Sequence, residues 1–415
     1  MINLEIPKKF GPLVSQAHQV ATEVFRPISR KYDLAEHEYP KELDMLASLI
    51  DGMNAGSDSG AGATGVRRDN GGDGGSGARG GGNGDGNGGN RNGSNMATVL
   101  GVMELCWGDV GLLLSMPRQG LGNSAIASVA SEEQLQRFEG RWAAMAITEP
   151  EAGSDSAAIR TTAVLDGDEY VLNGEKIYVT SGERADLVVV WATLDRSKGR
   201  AAIKSFVVER SNPGLQLDRL EHKLGIRASD TAAFRLEDCR VPREDMLGSA
   251  EAADKQGFGG AMQTFDNTRP LVAGMAVGLT RACLDETRTQ LEQAGVRIDY
   301  AAPALTQHAG AARYIAMEAD YEAARLLTLQ AAWMADNGRP NSLQASMAKA
   351  KAGRSCVDIA LGCVELCGSV GYDEHGLLEK WARDAKILDI FEGTQQIQLL
   401  IVARLLLGKT SADLR

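Results

Sequence analysis

A glutamate late in the sequence has the surroundings that a general base needs. Glu392 lies between the apolar pair Ile390-Phe391 and Gly393, just before an apolar segment that reads as a helix. A carboxylate that loses contact with water favours its neutral form, so its pKa rises from about 4.3 towards the range of a working base. Thr394 can cap the helix that follows. We therefore predict a partly desolvated carboxylate, placed at a helix start, that can abstract a proton.

A second segment combines an acid and an arginine within a predicted long helix. It reads Phe265-Asp266-Asn267-Thr268-Arg269-Pro270. The planar guanidinium of Arg269 suits an anionic or adenine-bearing ligand. A solvated charge on a helix surface explains the same residues equally well, so the pattern by itself leaves both interpretations open.

Two further segments offer hydroxyl groups where predicted strands end. The first, Ala146–Asp155, contains Thr148 and Ser154 and turns through Gly153; the second, Ile177–Gly182, contains an aromatic ring beside a hydroxyl group. Hydroxyls and turn N–H groups can bond the polar edge of a planar heterocycle, and an aromatic ring can cover its face. An ordinary polar strand end remains the alternative for the first segment.

Periodicity indicates which elements must position these residues. Residues 1–50 and 96–139 carry apolar side chains at helical steps, and Ser131 looks like a helix cap. Residues 140–250 are short stretches rich in Val, Ile, Tyr and Thr, separated by turn signals, which predicts a β-domain of sandwich or barrel type. Within it, Asn173-Gly174 predicts a hairpin turn.

Residues 251–411 return to long helical periods with short breaks, which predicts an antiparallel bundle. One apolar stripe at helical spacing is interpreted as bundle core; its members are Ala312, Ile315, Ala319, Leu326, Leu329 and Trp333. The predicted order is thus an N-terminal helical domain, a middle β-domain and a C-terminal bundle, an α+β multidomain fold.

Residues 51–95 interrupt the first helical region. This segment holds many of the 48 glycines, mixed with Asn, Asp, Ser and Arg, and almost no apolar residue. It cannot bury enough surface to offset the entropy of ordering, so it is interpreted as a flexible linker.

Composition excludes several classes of protein. The 415 residues carry a formal net charge of -11, which disfavours a nucleic-acid binder. No apolar run approaches the roughly 18 residues of a membrane span, and the first residues lack the apolar core of a signal peptide, so we expect a cytoplasmic protein. The six cysteines form no CxxC pair and are expected to be free thiols, with no metal site among them.

Taken together and in this order, the four segments resemble the acyl-CoA dehydrogenase family. The stretches that carry the resemblance are TEPEAGSD, the tract ending in KIYVTSG, GFGGAMQTFDNTRPLVAGMAVGLTRACLD and WARDAKILDIFEGTQQIQLLIVARLLLG. They span residues 140–411, with a looser likeness over 96–139. The resemblance implies an FAD-dependent enzyme that converts an acyl-CoA to the trans-2-enoyl-CoA, as in fatty-acid β-oxidation. Whether the acyl group is fatty or steroidal stays open.

The resemblance also implies roles for individual residues. Glu392 would remove the α-proton while flavin N5 accepts the β-hydride. Other branches of the family carry the base in the Asp266–Arg269 helix, where this chain has Thr268. Residues implied in FAD binding are Ile147, Thr148, Gly153, Ser154, Tyr178, Val179, Thr180, Thr394 and Gln396. Residues implied in substrate binding are Ser154, Asp266, Arg269 and Gly393.

Two segments depart from the family pattern. Residues 293–302 lack the Arg-x-x-Phe-Gly motif that reaches the neighbouring subunit's FAD, and Glu365 stands where the family has a glutamine. A homo- or heterotetramer is implied, and these losses suggest an α2β2 assembly with a second acyl-CoA dehydrogenase subunit. An electron-transfer flavoprotein is the implied acceptor. A non-catalytic partner subunit and an acyl-CoA oxidase remain alternatives.

Overall fold

Helices, a block of strands and further helices follow one another along the chain in the predicted order. The structure, a computed structural model, describes residues 6–47, 92–117, 121–248, 258–410 and 413, and only the backbone of 258–267. Most of the predicted linker 51–95, the predicted boundary at 250/251, residue 411 and the side chain of Asp266 therefore lie outside what the structure describes.

The first helical region brings together segments on both sides of the Gly-rich stretch. Its helices are α1 (Gly11–Val20), α2 (Arg26–Leu34), α3 (Ser94–Gly108), α4 (Val110–Ser115), α5 (Leu121–Val129) and α6 (Glu132–Phe138), with a π-helical turn at Ala21–Phe25 and a 3-10 turn at Lys8–Phe10. The predicted cap at Ser131 is confirmed, since Ser131 and Gln134 form a capping box at the start of α6. Asp336 caps α3 from outside by accepting hydrogen bonds from the N–H groups of Gly93, Asn95 and Met96.

The middle of the chain forms one curled seven-stranded sheet. The strands are β1 (Ala143–Ala146), β2 (Thr162–Asp166), β3 (Glu169–Thr180), β4 (Leu187–Thr193), β5 (Ile203–Glu209), β6 (Leu215–Leu220) and β7 (Thr231–Pro242). They pair in the order β1-β4-β2-β3-β7-β6, with β5 on β4. Every residue of β4 is buried because both faces of the sheet are covered, one of them by α5 and α6.

The predicted hairpin at Asn173-Gly174 is wrong. β3 runs straight through these residues and pairs with β7 on both sides of an irregularity between Leu172 and Gly174. Gly174 has φ 153°, and a Cβ there would lie 2.5 Å from Thr161 Oγ1. The glycine therefore serves a bulge and a close approach, whereas the reversal occurs between Asp166 and Glu169.

The last region is helical again. Its helices are α7 (Phe258–Gln293), α8 (Ala309–Asp336), α9 (Ser342–Cys367), α10 (Ser369–Tyr372), α11 (Leu378–Leu388) and α12 (Gln395–Leu407). Helix α9 packs against α7, α8, α11 and α12. Its core continues into α3, where Gly278 of α7 allows close contact because a Cβ there would lie 2.2 Å from Met103 O. The predicted fold class is confirmed.

Three further predictions concern the core stripe of α8, the cysteines and the absence of a membrane span. The predicted core stripe of α8 is only partly right: Leu329 and Trp333 are buried, but Ala319 and Leu326 are exposed, and Tyr314 takes a core position instead. All six cysteines are free, and five are buried. In the ranges that the structure describes, no helix combines the length and apolarity needed to cross a membrane.

Candidate active site

Glu392 lies in the short turn between α11 and α12, and the backbone of this turn is strained. Glu392 has φ 53° and Gly393 has φ 89°, both in the left-handed region that side chains other than glycine rarely adopt. The buried Gln398 holds the turn by donating from Nε2 to the carbonyl oxygens of Glu392, at 3.2 Å, and Gly393, at 3.3 Å. Strain of this kind persists only where the surroundings determine it, and it is common at active sites.

The carboxyl group of Glu392 faces the helix that carries Arg269. Thr268 Oγ1 donates a hydrogen bond to Glu392 Oε2 at 3.0 Å. Burial raises the pKa of Glu392 above its ordinary value, and this effect exceeds the opposing influence of the Thr268 hydrogen bond and of the positive charges on Lys349 and Arg269. The structure thus brings the segment Phe265–Pro270 and the turn of Glu392 together, with Arg269 itself buried there.

A buried lysine beneath this turn was missed by sequence reasoning. Lys349 of α9 is fully buried, and its Nζ donates to Gly393 O at 2.7 Å. Burial lowers the pKa of Lys349 to about 8, against the influence of Asp389 and Glu392. No signal in the Ala-rich sequence around Lys349 distinguishes it from Lys351, whose ammonium makes an exposed ion pair with Asp320.

A buried ion pair joins the segment Ala146–Asp155 to the residue that directly precedes the segment Ile177–Gly182. Lys176 Nζ lies 2.7 Å from Glu149 Oε1 and donates to Ile147 O at 3.0 Å. Burial raises the pKa of Glu149, but Lys176 and hydrogen bonds from Thr161 and Arg160 outweigh it and hold that pKa below its ordinary value. Burial lowers the pKa of Lys176 to about 8. These contacts fix the Thr148 turn against β3, and Ile177 N donates to Thr148 O at 2.9 Å.

The residues implied in flavin binding differ in what their side chains can reach. Tyr178 has φ 58° and a 62% exposed side chain, while Val179 next to it is fully buried in the sheet core. Gly153 and Ser154 are exposed, and Thr180 is half-buried. Val179 can therefore contact a ligand only through its backbone, whereas Tyr178 presents a ring to an outside partner.

At the start of α12, Thr394 is half-buried and Gln396 is exposed. Thr394 accepts a hydrogen bond from Ile397 N at 3.4 Å, so its hydroxyl oxygen caps the helix as predicted. The buried Oε1 atoms of Gln395 and Gln398 accept no hydrogen bond from any residue that the structure describes. Unsatisfied acceptors beside Glu392 fit a ligand that carries hydrogen-bond donors, and FAD, with its N–H and O–H groups, has this character.

A buried network connects the bundle to the sheet. Asp384 of α11 accepts from Ile226 N and lies 2.7 Å from Lys380 Nζ, which also pairs with Asp109. Gly225 permits this contact because a Cβ there would lie 2.5 Å from the carbonyl carbon of Arg383. The loop between β6 and β7 is thus held against the helix that precedes Glu392.

Comparison with known proteins identifies the family. The profile of the acyl-CoA dehydrogenase C-terminal domain matches residues 255–407, and that of the middle domain matches residues 144–239. The short-chain-specific acyl-CoA dehydrogenase of Clostridium acetobutylicum is 36% identical over 317 residues, which cover 75% of this chain and 81% of that protein. The chain belongs to the acyl-CoA dehydrogenase family.

Other members of the acyl-CoA dehydrogenase family agree with this assignment. The mitochondrial short-chain-specific enzyme of Rattus norvegicus is 39% identical over 258 residues, which cover 62% of this chain and 61% of that protein. The structure of butyryl-CoA dehydrogenase from Megasphaera elsdenii superposes with a TM-score of 0.78 at 29% identity, covering 98% of this chain and all of that chain. The resemblance seen in the sequence is confirmed, and so is the prediction of an acyl-CoA dehydrogenase, which is an oxidoreductase.

Proposed function

We propose that this chain catalyses the FAD-dependent α,β-dehydrogenation of an acyl-CoA to the trans-2-enoyl-CoA, with Glu392 as the base. The observation that supports this most directly is the Glu392 carboxyl group, which is desolvated yet hydrogen-bonded to Thr268 at 3.0 Å. A raised pKa makes a carboxylate a stronger base, which suits it to proton abstraction.

The surroundings of Glu392 support a proton-abstracting role more than a structural one. The Thr268 hydroxyl and the charges of Lys349 and Arg269 favour the ionised form, and burial opposes it. Burial is the largest of these influences, so the pKa of Glu392 lies above its ordinary value, as expected for a proton-abstracting carboxylate. The strained turn aims the carboxyl group independently of substrate.

The residues that would hold FAD come from two regions that the structure makes rigid. Ile147, Thr148 and Tyr178 lie in segments joined by the Glu149–Lys176 pair, and Thr394 and Gln396 start α12. When bound, the flavin supplies the acceptor for the β-hydride. The chain's own part is to present backbone and hydroxyl groups to the ring edge and to cover its face with Tyr178.

We propose a short-chain acyl-CoA as the substrate. The Clostridium acetobutylicum and Rattus norvegicus relatives are named short-chain specific, and the Megasphaera elsdenii enzyme acts on butyryl-CoA. Arg269 is assigned to the CoA moiety together with Asp266 and Ser154, because a guanidinium suits phosphate and adenine groups. Gly393 is assigned to substrate binding as well, because it directly follows the proposed base.

Replacing Glu392 by Gln tests the proposal. The purified variant should keep its bound flavin but lose turnover of acyl-CoA thioesters, measured with a dye as electron acceptor across chain lengths from short to long. Retention of flavin separates loss of the base from loss of the fold. Turnover at the wild-type rate in E392Q contradicts the role of Glu392, and a chain without activity on any acyl-CoA supports the non-catalytic partner subunit instead.

The assembly is a separate part of the proposal. Glu365 is exposed and pairs with Arg313 at 2.5 Å, so it places a carboxylate where the resemblance implies contact with a neighbour's cofactor. We propose that this chain forms an α2β2 tetramer with a second acyl-CoA dehydrogenase subunit. We also propose that an electron-transfer flavoprotein accepts the electrons. The ratio of flavin to protein chain tests the assembly. It is measured for the protein purified alone and after co-expression with a homologue encoded next to it. Full flavin occupancy in the protein purified alone contradicts the α2β2 assembly. Fast release of peroxide in air supports the acyl-CoA oxidase alternative.

A further inference from the structure

Two histidines and a glutamate form a cluster that shares no residue with the candidate active site. Glu36 and His37 follow α2, and His222 follows β6. One ring nitrogen of each histidine and one oxygen of Glu36 all lie within 4.8 Å of one another. Two neutral imidazoles and a carboxylate are the ligand set of many sites for Zn²⁺ and similar divalent ions.

His37 is the residue of this cluster whose surroundings point most clearly to a ligand. Both of its ring nitrogens are buried, and neither has a hydrogen-bond partner in the described part of the chain. Its backbone has the uncommon φ of 72°, and its ring centroid lies 4.8 Å from that of His222. Two buried ring nitrogens without a hydrogen-bond partner call for an explanation, and coordination of a metal ion is one.

The other two ligands are already oriented. Glu36 Oε1 accepts from Lys223 N at 2.9 Å, and Glu36 Oε2 lies 2.9 Å from His222 Nδ1. Ligands of one zinc ion lie within about 3–4 Å of each other, so the cluster needs a movement of only about 1 Å. His222 can supply it because its side chain is 82% exposed. The bond from Lys223 N can remain and orient the carboxylate once a metal is bound.

Charged neighbours of both signs act on the His37 ring. The carboxylates of Glu36 and Glu183 favour a positive charge there, whereas the ammonium of Lys223 and a protonated His222 oppose it. Lys223 Nζ is directed to the carbonyl oxygens of Ser229, at 2.9 Å, and Glu221, at 3.3 Å. The Lys223 ammonium is thus held by carbonyl oxygens of the chain.

We propose that Glu36, His37 and His222 form a binding site for a divalent transition-metal ion of the Zn²⁺ class. Three protein ligands leave room for water to complete a tetrahedral shell. The ion links the loop after α2 to the turn after β6, so it fastens the first helical region to the sheet. This role is independent of the dehydrogenation chemistry.

Isothermal titration of the full-length, flavin-loaded protein with Zn²⁺ alone tests the site. We expect one saturable site per chain and at least tenfold weaker binding in both His37→Ala and His222→Ala. His375→Ala is the matched control, because His375 is an exposed histidine that also contacts a carboxylate, that of Asp373. It should leave the affinity unchanged.

Thermal melting gives a second readout, since an ion that binds only the folded chain raises its melting temperature. Zn²⁺ should raise that temperature in the wild type and in His375→Ala but not in His222→Ala. Because His222 is exposed, its variant folds even where the His37 variant does not. Absence of saturable binding, or binding that persists at wild-type affinity in His222→Ala, overturns the proposal.

Discussion

At the scale of single residues, the account depends on what surrounds Glu392. The sequence around Glu392 predicted that its carboxyl group is shielded from water, because Ile390 and Phe391 precede it and Gly393 follows. It predicted neither the strained backbone of Glu392 nor Lys349, whose contact with the turn comes from the packing of α9 beneath it. Contacts between residues far apart in sequence leave no local pattern.

Replacing Lys349 by Met should shift the pH profile. The Lys349 charge lowers the pKa of Glu392, so its removal raises that pKa. The base must be ionised to act, so kcat/KM rises as the pH passes through the pKa of Glu392. In K349M, this acid limb of the pH profile therefore moves to higher pH. If the pKa of Glu392 rises by about one, kcat/KM on that limb falls about tenfold at a given pH. The measurement is kcat/KM against pH.

Lys351→Met is the matched control for this experiment. It removes a lysine from the same helix whose partner is the exposed Asp320. Its profile should coincide with that of the wild type. An acid limb in K349M that coincides with the wild type contradicts the electrostatic role of Lys349, whatever happens to kcat.

At the scale of elements, sequence patterns predicted the type and order of helices and strands better than their turns and buried faces. The capping box at Ser131 was found because its hydrogen bonds are local. Asn173-Gly174 looked like a turn but lies within β3, because pairing with β7 and the approach of Thr161 override the local preference. The stripe of α8 was misjudged at Ala319 and Leu326, because the helix buries the neighbouring face.

Packing of α9 against α11 predicts an effect of Gly353→Ala on both stability and turnover. A Cβ at position 353 would lie 2.6 Å from Leu388 O, four residues before Glu392. Alanine normally stabilises a helix interior by about 1 kcal/mol relative to glycine, but overpacking costs about 1–3 kcal/mol. We expect a lower melting temperature and lower kcat in G353A.

Gly101→Ala makes the same substitution in α3, where a Cβ meets nothing within 4 Å. It should raise the melting temperature slightly and leave kcat unchanged. If both variants change the melting temperature in the same direction, the contact between α9 and α11 is not what requires glycine at 353.

At the scale of the whole molecule, the order of helices, sheet and helices could be predicted, but the shared core could not. α3 packs into the C-terminal helices through Val99, Met103 and Cys106, across a long separation in sequence. The exposed face of α12 was also not foreseen. Leu399, Leu400, Leu406 and Leu407 all remain more than half exposed there. Such a group of apolar side chains indicates an interaction surface.

The exposed face of α12 predicts that the chain associates with another subunit. Replacing Leu400 and Leu407, which are seven residues apart and share a helix face, by Glu should reduce the assembly to smaller species in sedimentation velocity. Leu305→Glu is the control, since Leu305 is fully exposed in a 3-10 turn. Unchanged sedimentation of the α12 variant contradicts the role of this face.

Deuterium exchange tests directly, without relying on electron transfer, whether Glu392 takes the α-proton. An acyl-CoA incubated with the enzyme in D₂O should gain deuterium at its α-carbon, as followed by mass spectrometry. In E392Q that rate should fall by about 10²- to 10⁴-fold, the usual contribution of a general base. Exchange in E392Q at the wild-type rate would contradict the account.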